Sequence, residues 1–336
     1  MNDDFELVRG SGNVFRDFGR SNAGVEAGNG RRISRIRRGE IAVTVTFTGP
    51  GGESVTRPAF WDGGSAWKVR FAPTAVGSWN WQTECSDQTN DGLNGRSGHL
   101  ECVPAEGDNP CYRHGFLKVS DNRRHFVHAD GTPFFWLGDT HWQMPDTERL
   151  DVCNHPEHAG QTCPHGGQFQ HLVADRRAKG FTVYQTYPSA TNPAWWTTPH
   201  TAINPQRFRD VFDGQMNHLA EQGFVIALGF GHFNNSTKIP VDDLRRWARY
   251  LVARYGAHPV VWITCQEMNA PAEMGGREFN RLEAWRDVAR EIGVPFTCFA
   301  RGELCTPETI RRDVGEDEVQ RMRGLLARHL PGANGE

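Results

Sequence analysis

Four short apolar segments follow one another in the second half of the chain, at residues 134–139, 181–187, 224–230 and 259–267. Each is rich in β-branched or aromatic side chains, and each becomes polar or aromatic at its C-terminal end. Short apolar runs of this kind are typical of strands that are buried on both faces of a parallel sheet. The pattern therefore predicts four parallel strands whose carboxyl ends present functional groups at one rim.

Helical periodicity separates these segments. After the third segment, Pro240 and two aspartates precede apolar residues at helical spacing, and Gly256 follows them. The apolar positions are Leu244, Trp247, Ala248, Leu251, Val252 and Tyr255. The region from residue 133 onward is thus predicted to consist of repeated βα units.

Strict alternation marks residues 41–103 instead. Ile41, Val43, Val45 and Phe47 share one face before the turn residues 49–52, and further alternating runs follow. This pattern predicts a small antiparallel sandwich. Four tryptophans in it could stack on sugar rings, but the alternation favours core positions for them. They are Trp61, Trp67, Trp79 and Trp81.

These patterns predict a multidomain chain, all-β plus α/β, with an N-terminal β-sandwich before an incomplete (β/α)8 TIM-barrel-like domain. The predicted divisions are a disordered leader (1–40), the sandwich (41–104), a connector (105–132), the barrel domain (133–300) and a helical tail (301–336). A full barrel needs about 250 residues, and only about four and a half units are visible. We therefore expect a truncated, frameshifted or fused reading frame, and self-association through exposed barrel edges.

The composition of the chain bears on its binding partners and on its compartment. The net charge is −3, and neither charge nor the short leader indicates nucleic-acid binding. No apolar stretch is long enough to span a membrane, and the first residues lack a secretion signal, so the chain as written is expected in the cytoplasm. The eight cysteines form no CxxC pair and are expected to be mostly reduced and packed.

Residues 153–165 concentrate two cysteines and three histidines, which are ligand types that zinc prefers. Their spacing matches no common zinc motif. The alternatives are a structural metal site and a solvated insertion with Cys153 paired to Cys163. No metal ligand and no cofactor is assigned.

The run FVHADGTPFFWLGDT at residues 126–140 resembles the opening of the apiosidase-like glycoside hydrolases. Upstream, the segments 47–52, 60–64 and 69–73 are similar to the β-sandwich that precedes this catalytic domain in some members. The resemblance covers residues 41–293. It implies a (β/α)8 barrel that hydrolyses glycosidic bonds with two carboxylates, the acid/base group following the fourth strand.

Glu267 ends the fourth apolar segment, and the resemblance implies that it is the catalytic acid/base. Gln266 precedes it where many barrel glycosidases of this clan have an asparagine that touches the sugar. In the resembling family the Gly-Asp-Thr element lies in the substrate pocket, which implies sugar binding by Asp139; hydrogen bonding to its own loop is the alternative. Other strand-end groups are expected to bind substrate, namely His141, Trp142, Gln185, Tyr187, His232 and Asn234.

The predicted function is hydrolysis of a plant-type or other complex carbohydrate, with one carboxyl donating a proton and a second carboxylate acting on the anomeric carbon or on water. No segment resembles the neighbourhood of that second carboxylate, so none is assigned. One alternative is an inactive barrel remnant that binds carbohydrate. A metal-dependent amidohydrolase is disfavoured because the first strand lacks a His-x-His pair.

Overall fold

The computed structural model describes the backbone of residues 8–10 and 13–18. It describes residues 41–150 (except 65, 123 and 143), 166–198, 202–232 and 239–265, together with the single positions 285, 288, 289 and 292. No helix in these ranges is long and apolar enough to cross a membrane.

Two four-stranded antiparallel sheets form the N-terminal part of the described chain. Their orders are β1-β2-β6-β5 and β4-β3-β7-β8. The strands are β1 (Val8–Gly10), β2 (Asn13–Phe18), β3 (Val43–Thr48), β4 (Ser54–Pro58), β5 (Phe60–Trp61), β6 (Trp67–Phe71), β7 (Gly77–Cys85) and β8 (Ser97–Cys102). The rings of Phe47 and Phe71, one from each sheet, stack 3.9 Å apart. The predicted strand-rich region is therefore confirmed.

The four tryptophans of this region lie in its core. Trp61, Trp67, Trp79 and Trp81 are all buried in the cluster that also contains Phe47 and Phe71. In β7, Trp79 and Trp81 alternate with exposed residues, which explains why these two rings share the core face. The preference for core positions over a sugar platform is confirmed.

Two strands, β1 and β2, lie within the segment predicted to be a disordered leader, at the described residues 8–10 and 13–18. β2 pairs antiparallel with β6 over five residue pairs, from Val14 opposite Phe71 to Phe18 opposite Trp67. Because β6 is otherwise paired only with the two-residue β5 among the described strands, β2 supplies hydrogen bonds to an edge that the sequence pattern left open.

Residues 105–132, predicted to be a connector, form a helix and a hairpin. Helix α1 (Pro110–His114) is capped by the Asn109 side chain, which accepts a hydrogen bond from the Cys111 amide at 3.0 Å. Strands β9 (Leu117–Val119) and β10 (Phe126–His128) pair antiparallel. Cys111 and Leu117 pack against one face of the following parallel sheet, so this segment covers that face.

The α/β region contains a four-stranded parallel sheet in the order β11-β12-β15-β16. Its elements are β11 (Gly138–Thr140), α2 (Met144–Thr147), α3 (Gln168–Ala178), β12 (Val183–Thr186), a 3-10 turn (Pro193–Trp195), β13 (Trp196–Thr198), β14 (Ala202–Ile203), α4 (Pro205–Arg207), a π-helical turn (Phe208–Phe212), α5 (Asp213–Glu221), β15 (Val225–Gly229), α6 (Val241–Tyr255) and β16 (Val260–Ile263). The predicted α/β region with four parallel strands is confirmed, and α6 begins after Pro240 and ends at Gly256 as expected.

Strand β11 begins four residues later than the apolar run predicts. The Phe134 amide donates to the Phe126 carbonyl at 3.1 Å, and the Trp136 ring lies 5.3 Å from the Phe126 ring. The aromatic part of the run therefore extends the β9–β10 hairpin and does not enter the sheet. Phe135 and Trp136 remain 73% and 40% exposed beside β11, where the sequence predicts self-association.

A buried ion cluster joins the strand-rich region to the α/β region. Arg254 of α6 donates to Asp62 at 2.7 Å and to both carboxylate oxygens of Asp213, at 2.9 and 2.5 Å. Arg70 of β6 pairs with Asp213 at 2.9 Å and donates to the Arg254 carbonyl at 2.7 Å. The Arg254 guanidinium also lies 4.7 Å from the Phe60 ring centre. The two regions thus share a polar core as well as apolar contacts.

Candidate active site at the carboxyl ends of the parallel strands

The parallel sheet places the ends of its strands at one edge. Tyr187 follows β12, Phe230 follows β15, and Cys265 lies two residues beyond β16. In a barrel-like α/β region this edge is the usual place for catalytic groups. Glu267, Gln266 and Asn234, all predicted site residues, lie outside the described residues.

Trp142 and Tyr187 form an aromatic pair at this edge. Their ring centres are 5.9 Å apart, and the ring planes are inclined by 55°. Trp142 is 41% exposed, whereas Tyr187 is 8% exposed, so the indole is the accessible half of the pair. Burial is the main reason that the pKa of Tyr187 is raised, with additional effects from Cys265 and Asp146. The phenol is therefore a neutral hydrogen-bonding group beside an exposed apolar ring.

His141 links the first two strand ends. Its amide donates to the Gln185 carbonyl at 2.8 Å, and its Nδ1 lies 2.8 Å from the Tyr184 hydroxyl. Its Nε2 lies 3.7 Å from a carboxylate oxygen of Glu148. Burial lowers the pKa of His141, against the opposing effect of Glu148. The imidazole is thus neutral near pH 7 and is held by side chains of the sheet and the following loop.

Asp139 makes an ion pair that the sequence did not indicate. Its side chain accepts a hydrogen bond from Arg176 of α3, and its other oxygen accepts the Thr140 amide at 2.8 Å. Asp139 is opposite Tyr184 in the register of β11 and β12, and Tyr184 packs in the core beneath the helices. The structure therefore pairs Asp139 with α3, and sugar binding by this carboxylate stays a prediction.

This arrangement gives a test of the role of Asp139. We expect Asp139→Asn and Arg176→Gln each to lower stability, and the double variant to lower it by less than the sum. A coupling of about 0.5–1 kcal/mol is expected, because the pair is about one-third exposed. Urea unfolding measures it, with the exposed Asp242→Asn as control. Additive effects would contradict the pairing.

Asp146 is a site carboxylate that sequence patterns missed. It lies in α2, four residues after Trp142. Its Oδ1 accepts hydrogen bonds from Asn192 at 2.7 Å and from the Trp195 indole at 3.1 Å, and it lies 3.7 Å from Arg207. Burial raises the pKa of Asp146, although Arg207 opposes the shift. All three partners are more than 45 residues away in the chain, so no local motif could reveal the site.

The remaining predicted residues are distributed as follows. Gln185 is half-buried on β12 opposite Thr140, next to the aromatic pair in sequence. His232 is half-buried after β15, where the Phe230 ring stacks on the Trp262 ring at 5.2 Å. Trp195 and Trp196, which follow β12 in sequence, are buried with Trp247 in the core. The structure therefore brings together His141, Trp142, Gln185 and Tyr187.

A cavity of about 620 Å³ lies at the opposite end of the strands. It is lined by Ala257 and Pro259, which precede β16, and by Phe116, which precedes β9. Its position separates it from the carboxyl edge. Within the described ranges there is no group of three or more His, Cys, Asp or Glu side chains placed to hold a metal ion.

Comparison with known families identifies the α/β region. Residues 120–299 match the model of the apiosidase-like catalytic domain, which is more than half of the chain. The chain belongs to the apiosidase-like family. Residues 39–86 match a second model, a domain of unknown function designated DUF5060, and this match covers β3 to β7 of the strand-rich region. No curated protein matches the chain.

Solved structures of glycoside hydrolases align with this chain, and the first of them shares its fold. A candidate glycoside hydrolase from Bacteroides vulgatus ATCC 8482 aligns with a TM-score of 0.61 and 17% identity, over 84% of this chain and 53% of its own. A family 5 glycoside hydrolase from the same organism aligns with a TM-score of 0.39 and 18% identity, over 56% and 39% of the two chains. The apiosidase-like chain thus spans about half the length of the first structure, and the likeness concerns the fold.

Proposed function

We propose that the chain is a glycoside hydrolase that acts on a plant-type or other complex carbohydrate. Membership of the apiosidase-like family is the observation on which this proposal rests. The site geometry supports it, because an exposed indole beside a neutral phenol suits a sugar ring, whose faces are apolar and whose rim carries hydroxyls.

In this proposal Glu267 is the proton donor to the leaving oxygen. It follows β16 by four residues, and the buried Cys265 and half-buried Trp262 precede it. A carboxyl beside such groups tends to keep its proton at higher pH, as an acid catalyst requires. Gln266, Gln185, His232 and Asn234 are proposed to hydrogen-bond sugar hydroxyls around it.

A second candidate function is carbohydrate binding without cleavage. Within the described sheet β11 is an edge strand, and the exposed Phe135 and Trp136 lie beside it. A closed barrel pairs each strand on both sides, whereas among the described strands β11 is paired only with β12. The same sugar-binding groups at the strand ends would then serve recognition alone.

Hydrolysis of a substrate panel tests the proposal. We expect the purified full chain to release 4-nitrophenol from at least one neutral 4-nitrophenyl glycoside, or reducing ends from plant cell-wall polysaccharides. The heat-denatured chain is the control. A folded chain that binds these polysaccharides in affinity electrophoresis but cleaves none of the panel would support the second candidate and contradict the first.

A further inference from the structure

Asp146 has one carboxylate oxygen engaged and the other open. The bonds from Asn192 and Trp195 and the contact with Arg207 all involve Oδ1. Among the described residues, Oδ2 receives no hydrogen bond, and the side chain keeps 15% of its surface exposed. Asparagine could accept the same bonds at Oδ1. The additional oxygen is therefore available for a group outside the described chain.

The groups around Asp146 hold it between the segments that follow β11 and β12, and its charge acts on Tyr187 at the end of β12. Asn192 and Trp195 lie on the segment that follows Tyr187, and Trp142 precedes α2 while contacting the Tyr187 ring. Asp146 thus bridges the loops after β11 and β12, the two loops that form the aromatic pair. Arg207, at the end of α4, lies 3.7 Å from the same oxygen and belongs to a different segment. Three partners on two segments restrict the rotation of the Asp146 side chain, which reduces the entropy lost when a ligand binds.

We propose that Asp146 is a sugar-hydroxyl acceptor of the site and selects neutral saccharides over uronic acids. This inference rests on the proposed function for its choice of ligand class. The sugar ring packs on the exposed Trp142 indole, and one of its hydroxyls donates to Oδ2 of Asp146. A hydrogen bond to a carboxylate is stronger than one to a neutral acceptor. A sugar carboxylate in the same place is repelled by the like charge.

Binding of neutral and acidic oligosaccharides tests this selectivity. Tryptophan fluorescence of the full chain is titrated with xylo- or cello-oligosaccharides and with oligogalacturonides of equal length. We expect the wild type to bind a neutral ligand at least about tenfold more tightly than the acidic one. Asp146→Asn, which preserves the Oδ1 acceptor, should weaken neutral binding about tenfold and remove most of the discrimination. Trp142→Ala should weaken both ligands alike.

The outcomes separate this inference from the proposed function. Neutral-selective binding that Asp146→Asn abolishes, without hydrolysis by the wild type, supports the inference and contradicts the enzyme. If Asp146→Asn hydrolyses substrate with unchanged KM and unchanged selectivity, the inference about Asp146 is overturned and the proposed glycoside hydrolase activity stands. A wild type that binds acidic ligands as well as neutral ones also overturns it, and this result needs no variant and no assumption about folding.

Discussion

Arg254→Met should lower the free energy of unfolding by about 3–5 kcal/mol, the range typical when one partner of a buried ion pair is removed. Methionine fills much of the volume but carries no charge. Asp62 would retain Lys68 and Arg209, and Asp213 would retain Arg70, but each would lose its shortest ion pair. Urea unfolding at pH 7, followed by circular dichroism, measures the change.

At acidic pH the difference in the free energy of unfolding between Arg254→Met and the wild type should be smaller. Burial alone would raise the pKa of Asp213, but the charges of Arg70 and Arg254 outweigh it and hold the pKa below its ordinary value. The stabilisation is therefore complete above about pH 4, the ordinary aspartate value, and is lost as the pH falls below it. Measurements at pH 7 and pH 3 should show the larger difference at pH 7.

A surface pair provides the control for Arg254. Arg113 pairs with Asp108 at 3.3 Å, and both side chains are more than half exposed. Arg113→Met should therefore leave the unfolding midpoint almost unchanged. Equal effects of the two substitutions would show that the buried cluster adds nothing beyond a surface ion pair. An undiminished difference at pH 3 would assign the loss to packing and not to charge.

Apolar periodicity predicts a strand or helix well where the apolar positions of that element are the ones buried in the core. The limits of α6 follow from local spacing because one apolar face packs in the core, and the presence of β12, β15 and β16 follows because these strands pack against apolar neighbours on both faces. The start of β11 does not follow, because Phe134 and Trp136 pack on a hairpin that precedes them. A local apolar pattern predicts that these aromatic side chains pack against something. It does not predict which element they pack against.

Local sequence patterns could not predict the polar contacts of the site or of the buried ion cluster. Arg254 lies in a helix rich in arginine, and its sequence context resembles that of the exposed positions around it. Its burial depends on Asp62 and Asp213, which are 192 and 41 residues away. The Asp139–Arg176 pair and the contacts of Asp146 depend on distant partners in the same way. The family resemblance, in contrast, was confirmed because it rests on a continuous motif at residues 126–140, which local sequence carries in full.

Glu267→Gln should reduce kcat/KM by about 10²–10⁴, the usual contribution of a positioned acid. Glutamine keeps the size and the hydrogen bonding but cannot donate a proton to the leaving oxygen. The loss should be smaller for 2,4-dinitrophenyl glycosides, whose leaving group departs without protonation, and the alkaline limb of the pH profile should disappear. Glu221→Gln, an exposed position at the end of α5, is the matched control and should retain full activity. Equal losses for good and poor leaving groups would exclude Glu267 as the acid, because a proton donor must matter most where the leaving oxygen is most basic.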